Sequence, residues 1–431
     1  MAFSIATYDN PSGAQWTSLA ERPAAPAVNV SEIVNDILQN VADRGDLAVA
    51  EYTNQFDGLL LEELWVDRAE IEKAKSSLDA ALRTAIEQAR DNVFTFHQAQ
   101  IQVSSKIETM PGVVCWRESR PIDRVGLYIP GGTAPLFSTI LMLAIPAHIA
   151  GCKEIVMCTP PQKDGEVHPA MLYAASISGI SKIYKAGGAQ AIAAMTCGTQ
   201  TMSPVDKIFG PGNHFVTEAK LAAQRRGVAI DMPAGPSEVL VIADSSADPA
   251  FVAADMISQA EHGVDSQAIL VSTDKSLLAK VQLDLENQLL DLPRRDIALK
   301  SLANSKMIYL ESTEQAFAFS NIYAPEHLIL SIADPHAHLS SISNAGSVFV
   351  GHFSPESAGD YASGTNHTLP TNGWARAYSG VSLDSFVKKV TFQELSPEGL
   401  LKLSPTVEIM AEAEQLIGHK RAVQIRRKSL G

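Results

Sequence analysis

A glutamine and a histidine three residues apart form the first candidate cation site in the sequence. Gln259 and His262 close a predicted helix over 248–263, which Asp248 can cap and Gly263 can end. Residues three apart on a helix project from the same side. An amide oxygen and a neutral imidazole there can bind a divalent cation if other segments complete its coordination. An ordinary polar helix end is the alternative.

Two further pairs of residues supply what such a site would need. Asp360 and His419 add a carboxylate and a second imidazole. A ligand set without cysteine suits zinc, with manganese or cobalt as alternatives, and leaves room for a substrate. Glu326 and His327 are adjacent titratable residues, which form an acid–base pair if both face one cleft and are otherwise a solvated surface pair. Convergence of these segments depends on the fold.

Three glycine turns each follow a predicted strand and open a helix. They are Gly131-Gly132, Gly187-Gly188 and Gly210-Pro-Gly212. Backbone N–H groups at a helix N-terminus bind anions, and glycine allows a phosphate to approach closely. None of the turns has the spacing of the dinucleotide fingerprint, so plain strand-to-helix turns are the alternative.

The elements that position these residues follow an α/β pattern. Strand, turn and helix repeat at a spacing of roughly thirty residues, which is typical of βαβ units with a parallel sheet. The predicted strands lie at 125–129, 154–158, 182–186, 207–209, 238–242, 267–271, 306–310 and 346–351. We therefore predict an α/β fold with two Rossmann-like parallel-sheet domains and helical N- and C-terminal extensions.

Composition excludes several classes of protein. The chain has 431 residues, 46% of them hydrophobic and 19% charged, and a net charge of −14, which argues against a nucleic-acid surface. The apolar run 136–150 contains Pro146 and His148 and is short for a membrane span. No signal peptide is visible, and the four cysteines form no CxxC pair. We expect a cytoplasmic protein without a membrane or nucleic-acid partner.

Seven motifs in order resemble the histidinol dehydrogenase family, over about residues 31–419. They are Val125-Gly-Leu-Tyr-Ile-Pro-Gly-Gly, Gly187-Gly-Ala-Gln-Ala-Ile-Ala-Ala, Asp206-Lys-Ile-Phe-Gly-Pro-Gly-Asn, Asp231-Met-Pro-Ala-Gly-Pro-Ser-Glu-Val-Leu, Ser258-Gln-Ala-Glu-His-Gly, Pro325-Glu-His-Leu and Ser357-Ala-Gly-Asp-Tyr-Ala-Ser-Gly-Thr-Asn-His. The resemblance implies a zinc-dependent enzyme of histidine biosynthesis. Such an enzyme oxidises L-histidinol to L-histidine through L-histidinaldehyde with two NAD+, and it is an intertwined homodimer with shared active sites and one zinc ion per subunit.

The resemblance also assigns roles to individual residues. The zinc ligands match Gln259, His262, Asp360 and His419, the last from the partner subunit. Substrate contacts match Ser237, Gln259, His262, His327, Asp360, Glu414 and His419, and NAD contacts match Tyr128, Gln190 and Asn213. In this interpretation Glu326 activates water and His327 removes the proton from the alcohol and then from the aldehyde hydrate.

The resemblance divides the chain into four segments. We expect residues 1–109 to form an N-terminal arm and a helical region, with one long helix over 67–100, that packs on the second Rossmann-like domain. Residues 110–236 form the NAD-binding Rossmann-like domain, and 237–380 form the second, which carries the metal and catalytic residues. Residues 381–431 form a helical domain that reaches the partner subunit.

Other functions fit part of the pattern. The same zinc and NAD sites could serve another amino alcohol or a sulfonate-bearing alcohol, although Glu414 suits an ammonium or an imidazole N–H and so favours histidinol. In a zinc hydrolase, Glu326 would activate water and the glycine turns would be purely structural. A non-enzymatic α/β binding protein would bind its ligand without metal and produce no NADH.

Overall fold

The computed structural model describes residues 3–23, 30–131, 135–180, 182–233 and 235–430. Gly132 of the first glycine turn lies outside them. Within these ranges the chain forms 14 strands. They are β1 (Ala6–Asp9), β2 (Ile107–Met110), β3 (Val113–Pro121), β4 (Arg124–Tyr128), β5 (Glu154–Thr159), β6 (Lys182–Lys185), β7 (Lys207–Phe209), β8 (Ala229–Ile230), β9 (Glu238–Ala243), β10 (Gln267–Ser272), β11 (Lys306–Tyr309), β12 (His327–Ser331), β13 (Ser347–Val350) and β14 (Val387–Leu395).

The same part of the chain forms 16 α-helices. They are α1 (Gly13–Leu19), α2 (Ser31–Arg44), α3 (Asp46–Asp57), α4 (Arg68–Ser77), α5 (Ala80–Gln98), α6 (Phe137–Ala150), α7 (Pro169–Ser176), α8 (Gly188–Cys197), α9 (His214–Arg225), α10 (Pro249–Ala260), α11 (Lys275–Gln288), α12 (Arg295–Leu302), α13 (Thr313–Tyr323), α14 (Glu356–Tyr361), α15 (Pro397–Ala413) and α16 (Ile417–Lys428). Across the described ranges, no helix has both the length and the apolar character that crossing a membrane requires.

Two parallel sheets organise the molecule. The first has the strand order β6-β5-β4-β7-β8, and the second has the order β1-β11-β10-β9-β12-β13. The predicted α/β fold with two Rossmann-like sheets is therefore confirmed. The strand order reverses between β4 and β7 and between β9 and β12, and ligands of such folds commonly bind at these reversals.

Helices cover both faces of each sheet, which is why the strands are almost continuously apolar. Successive residues of β9 alternate between two cores. Val239 and Val241 pack with α10, α11 and α12, whereas Leu240 and Ile242 pack with α13. The side chains of the first sheet divide in the same way between α6 and α7 on one face and α8 and α9 on the other.

The helical part of the N-terminal extension packs differently from our expectation. Helix α2 contacts α8 and α9, α4 contacts α7, and α5 contacts α6. These helices therefore pack on the helices that cover the first sheet rather than on the second domain. The apolar face of α2, with Val34 and Leu38, completes the core that contains α8. The segment before residue 24 instead joins the second sheet, where β1 pairs in parallel with β11. An amphipathic pattern indicates that a helix has a partner but does not indicate which one.

The predicted long helix over 67–100 is two helices. Leu78 is extended, and the Asp79 carboxylate accepts hydrogen bonds from the N–H groups of Ala81 and Leu82, which caps α5. Residues 352–380, a stretch rich in glycine, serine and proline, contain the short helix α14.

The C-terminal extension begins with a strand that we had not predicted. β14 pairs antiparallel with β3, which also pairs with β2, and the stacked rings of Trp116 and Phe392 lie 5.3 Å apart across this sheet. The rest of this extension is helical as expected, in two helices, because Gln415 adopts a φ of +61° between α15 and α16.

The first sheet depends on one glycine at its reversal point. Gly210 has a φ of +128°, and a Cβ atom there would lie 2.0 Å from the backbone oxygen of Tyr128. We predict that Gly210→Ala lowers the free energy of unfolding by about 2–3 kcal/mol, because it adds backbone strain and steric overlap. Gly13→Ala is the control, since no atom lies within 4 Å of a Cβ there. Equal urea midpoints for the two variants would contradict this prediction.

Candidate active site

The candidate catalytic residues meet at the amino edge of the second sheet. β9 and β12 are parallel neighbours that start at Glu238 and His327. A helix that follows a parallel strand runs back to the amino edge, so the end of α10 lies there too. This topology brings Gln259 and His262 to the same edge as Glu326 and His327. Ser237 lies directly before β9 and is partly buried at the same edge.

Glu326 and His327 are both held by the backbone of Glu238. The N–H of Glu238 donates to Oε2 of Glu326 at 2.9 Å, and Nδ1 of His327 lies 3.2 Å from the carbonyl oxygen of Glu238. Because a carbonyl can only accept, Nδ1 carries the proton of the neutral ring. Nε2 is then the basic nitrogen, which is the form that a general base requires.

Helix α14 brings two carboxyl groups to this pair. Glu356 and Asp360 are four residues apart and therefore lie on one side of α14. Oε1 of Glu356 lies 3.5 Å from Nδ1 of His327, and Oδ1 of Asp360 lies 3.7 Å from Nε2. Ligand atoms of His262, Glu356 and Asp360 all lie within 4.8 Å of one another. Our sequence analysis missed Glu356, although its spacing of four from Asp360 was a usable signal.

Several buried polar atoms at this edge are unpaired within the described part of the chain. Both polar atoms of the Gln259 amide, both carboxyl oxygens of Glu356 and Nε2 of His327 have no hydrogen-bond partner there. Buried polar atoms normally have partners, so these residues fit a site that holds a cation and a polar substrate. Of the predicted ligands, His262 and Asp360 have ligand atoms within 4.8 Å of each other, and the buried Gln259 lies one turn before His262 at the end of α10.

Burial perturbs the acid–base properties of the cluster. It raises the pKa of Asp360 to about 7 and the pKa values of Glu326 and Glu356 well above their usual range. Burial also lowers the pKa of His327 to about 3. Neutral forms are favoured because the buried site offers little water to solvate a charge, and mutual repulsion adds to this effect for the carboxyl groups of Glu326 and Glu356. A divalent cation among them would favour the ionised form of the carboxyl groups and keep the imidazole neutral.

Glu414 and His419 lie elsewhere in the chain. Glu414 ends α15 and His419 is in the first turns of α16, and both residues are exposed. The main packing partners of these helices are each other and β14. Among the described residues, the cluster of possible metal ligands contains His262, Glu356 and Asp360 and does not include His419.

The predicted NAD contacts line the carboxyl edge of the first sheet. Tyr128 ends β4, Gln190 is in the first turn of α8, and Asn213 caps α9 by accepting hydrogen bonds from two backbone N–H groups. The hydroxyl of Tyr128 accepts a hydrogen bond from the N–H of Gly188 at 3.1 Å. Oε1 of Gln190 is buried and unpaired within the described residues, which fits a polar ligand at this edge.

His367 connects the two candidate sites. Its Nε2 lies 3.1 Å from Oγ1 of Thr139, in the first turn of α6, and its Nδ1 lies 2.9 Å from the backbone oxygen of Asp360. The first turn of α6 is at the carboxyl edge of the first sheet, whereas Asp360 belongs to the cation cluster. The two edges are therefore linked through His367 and lie close to each other.

Comparison with known proteins identifies the family. The model of the histidinol dehydrogenase family matches residues 20–427. The chain belongs to the histidinol dehydrogenase family. It is 57% identical to the histidinol dehydrogenase of Bacteroides fragilis, over 96% of this chain and 97% of that protein. It is 53% identical to that of Mannheimia succiniciproducens, over 95% and 98% of the two chains.

A solved structure agrees with this assignment. The crystal structure of histidinol dehydrogenase from Elizabethkingia anophelis matches with a TM-score of 0.99 and 54% identity, covering 100% of this chain and 99% of that one. The resemblance in the sequence motifs is thus confirmed, as is the predicted class of enzyme, an NAD-dependent dehydrogenase.

The raised pKa of Asp360 makes metal binding dependent on pH. At pH values below its pKa of about 7, the carboxyl group of Asp360 is protonated, and a cation must displace that proton. We predict that zinc binding to metal-free protein releases more protons per ion at pH 6 than at pH 8. Calorimetric titrations in two buffers of different ionisation enthalpy measure this number. Proton release that does not change with pH would contradict this account of the cluster.

Proposed function

We propose that this chain is a zinc-dependent histidinol dehydrogenase. It would oxidise L-histidinol to L-histidine through L-histidinaldehyde, reducing two NAD+. The observation that carries the proposal is that two candidate bases lie beside a cluster of possible cation ligands. The bases are Glu326 and His327, and the cluster is His262, Glu356 and Asp360. The names of its relatives supply the substrate.

His327 is the base of the first oxidation. Its Nε2 is unprotonated and faces the cluster, so it takes the proton of the alcohol while the carbon of that alcohol loses a hydride. The imidazolium that forms lies beside carboxyl oxygens of Glu326 and Glu356, at 3.6 and 3.5 Å, and Asp360, at 3.7 Å. Negative charge on these groups stabilises the imidazolium.

The second oxidation requires water, and Glu326 would supply the base. Addition of water to the aldehyde gives a hydrate that again carries a hydroxyl proton and a hydride. Glu326 takes one proton from the attacking water, and His327 takes the hydroxyl proton of the hydrate as the second hydride departs. Two adjacent bases thus serve two successive oxidations of the same carbon.

The protein groups define where each cofactor would bind. Gln259, His262 and Asp360, with His419 of a second copy, would hold the zinc ion, which when bound orients the imidazole and amine of the substrate. Glu356 is close enough to join or support this set. Tyr128, Gln190 and Asn213 would hold NAD, whose nicotinamide accepts the hydrides. Ser237 and Glu414 would complete the substrate contacts.

We further propose a homodimer in which each active site takes Glu414 and His419 from the other subunit. Both residues are exposed on α15 and α16. The surfaces of these helices also carry exposed apolar side chains, including Ile409, Met410 and Ile425 at 58–68% exposure. A second copy of the chain would bury these side chains.

The proposal places the enzyme in the cytoplasm. NAD and the histidine product are used there, and all four cysteines are free. The main alternative is a related dehydrogenase that oxidises another amino alcohol or a sulfonate-bearing alcohol at the same sites. A zinc hydrolase would use Glu326 in the same way, but it would leave Gln190 at the other edge, whose buried Oε1 has no partner among the described residues, without a function.

The reaction itself is tested by product stoichiometry. We predict two NADH per L-histidine formed from L-histidinol, with loss of activity on chelation and recovery with zinc. NADH is followed by absorbance, and histidine is quantified separately. Glu326→Gln should slow oxidation of the aldehyde by about 100-fold or more while affecting alcohol oxidation less, because only the second step activates water.

Contradictory results would be clear. Zinc-loaded, folded protein that makes no NADH from histidinol would exclude the proposal. NADH from another amino alcohol or from a sulfonate-bearing alcohol would then support the related dehydrogenase.

The shared site is tested by complementation between two inactive variants. His262→Ala and His419→Ala remove ligands that belong to different subunits of one proposed site. A heterodimer of the two has one site with both ligands and one site with neither. We therefore predict that each heterodimer has up to about half of the activity of a wild-type dimer. Heterodimers that form and remain inactive would show that the site lies within one chain.

A further inference from the structure

The position of both candidate bases depends on one residue, Glu238. Its N–H donates to Glu326 at 2.9 Å, and its carbonyl oxygen lies 3.2 Å from Nδ1 of His327. Glu238 also follows Ser237 directly in the chain. A group that fixes Glu238 therefore fixes the orientation of both candidate bases and the tautomer of His327.

Arg22 of the N-terminal arm holds the side chain of Glu238 in a two-pronged contact. Nε of Arg22 donates to Oε2 of Glu238 at 2.8 Å, and Nη2 donates to Oε1 at 2.7 Å. The two side chains are only 15% and 2% exposed. Such paired hydrogen bonds fix direction as well as charge, because both groups are planar.

Arg22 also contacts the segment that leads to the two bases. Nη2 donates to the backbone oxygen of Tyr323 at 2.7 Å, and the guanidinium lies 3.8 Å from the centre of the Tyr323 ring. The next residue, Ala324, has a φ of +53° and turns the chain into Pro325, Glu326 and His327. Arg22 therefore bridges the start of β9 and the turn before β12, the two segments between which the bases are held.

We infer that Arg22 is a positioning residue for Glu326 and His327, acting through Glu238 and the turn at Ala324. The inference rests on the proposed function of this base pair. Arg22 touches neither base, and its guanidinium offsets the negative charge of Glu238, which would otherwise act on Glu326 nearby.

Attachment of the arm does not depend on Arg22. β1 pairs with β11, and Nζ of Lys306 donates to the backbone oxygens of Leu19 and Glu21 at 2.7 and 2.9 Å. Replacement of Arg22 should therefore leave the arm in place. This separates a role in positioning from a role in folding.

The test compares zinc-loaded, full-length variants in the first turnover with L-histidinol and NAD+. Arg22→Lys keeps the positive charge but cannot form the two-pronged contact. We expect it to lower the rate of NADH formation about 10-fold, and Arg22→Gln about 100-fold, within the range seen for groups that orient active-site residues. The KM values for both substrates, the zinc content and the unfolding midpoint of Arg22→Lys should stay near those of wild type.

Lys275→Gln is the matched control. Lys275 pairs with Asp9 of the same arm, but both side chains are exposed, at 64% and 59%, so this variant should keep the wild-type rate. A wild-type rate in Arg22→Lys would overturn the inference. So would a rate that falls only in proportion to lost zinc or lost folded protein.

A crystal structure of Arg22→Lys provides a result that does not depend on the substrate. The inference predicts that Glu326 or His327 moves away from the backbone atoms of Glu238, and unchanged positions would overturn it. Wild-type protein that makes no NADH from histidinol would instead count against the proposed function, so the two failures are distinguishable.

Discussion

Burial of several ionisable groups at one sheet edge is the constraint on which the rest of the site depends. Glu326, His327 and Glu356 are almost fully buried, and Asp360 is largely so. Isolated charges in such a place cost several kcal/mol each, so the groups must share protons, face a cation or form hydrogen bonds. The backbone of Glu238 satisfies part of this requirement. The polar atoms of Gln259 and Glu356, which have no partner in the described ranges, are the part that remains to be satisfied.

The topology explains why the predicted NAD contacts and the cation cluster belong to different sheets and still lie close together. In the first sheet, the predicted NAD contacts lie at the carboxyl edge, where the strand order reverses. In the second sheet, the candidate bases and metal ligands lie at the amino edge, where α10 ends. His367 joins the edges through Thr139 and the backbone of Asp360. A substrate at the cluster would therefore lie near the edge that carries the predicted NAD contacts.

The sequence predicted the parts of the site that local patterns encode. The spacing of Gln259 and His262 on a helix and the adjacency of Glu326 and His327 were visible without a fold. Glu356 was missed because it lies in a stretch rich in glycine and serine that reads as a loop. Its placement beside His327 comes from the packing of α14 and not from local preference.

Strands and helix packing were likewise predicted where a local sequence pattern exists and missed where only long-range contacts decide. Most of the parallel strands were predictable because burial on both faces makes them continuous apolar runs. β12 is equally buried but was not among the predicted strands. β14 was missed because most of its residues are exposed or only partly buried, so it lacks such a run. The side on which α2 to α5 pack was predicted wrongly, because an apolar stripe on a helix does not specify which sheet it packs against. The long-range contact of Arg22 with Glu238, 216 residues apart, left no local signal at all.

The central claim is that this buried cluster is a cation site completed by a second subunit. X-ray absorption at the zinc edge tests it most directly, with zinc-loaded protein and the His262→Ala and His419→Ala variants. The account predicts a first coordination shell of nitrogen and oxygen only, with imidazole scattering that decreases in each variant. Sulfur in that shell, or spectra that both substitutions leave unchanged, would contradict it.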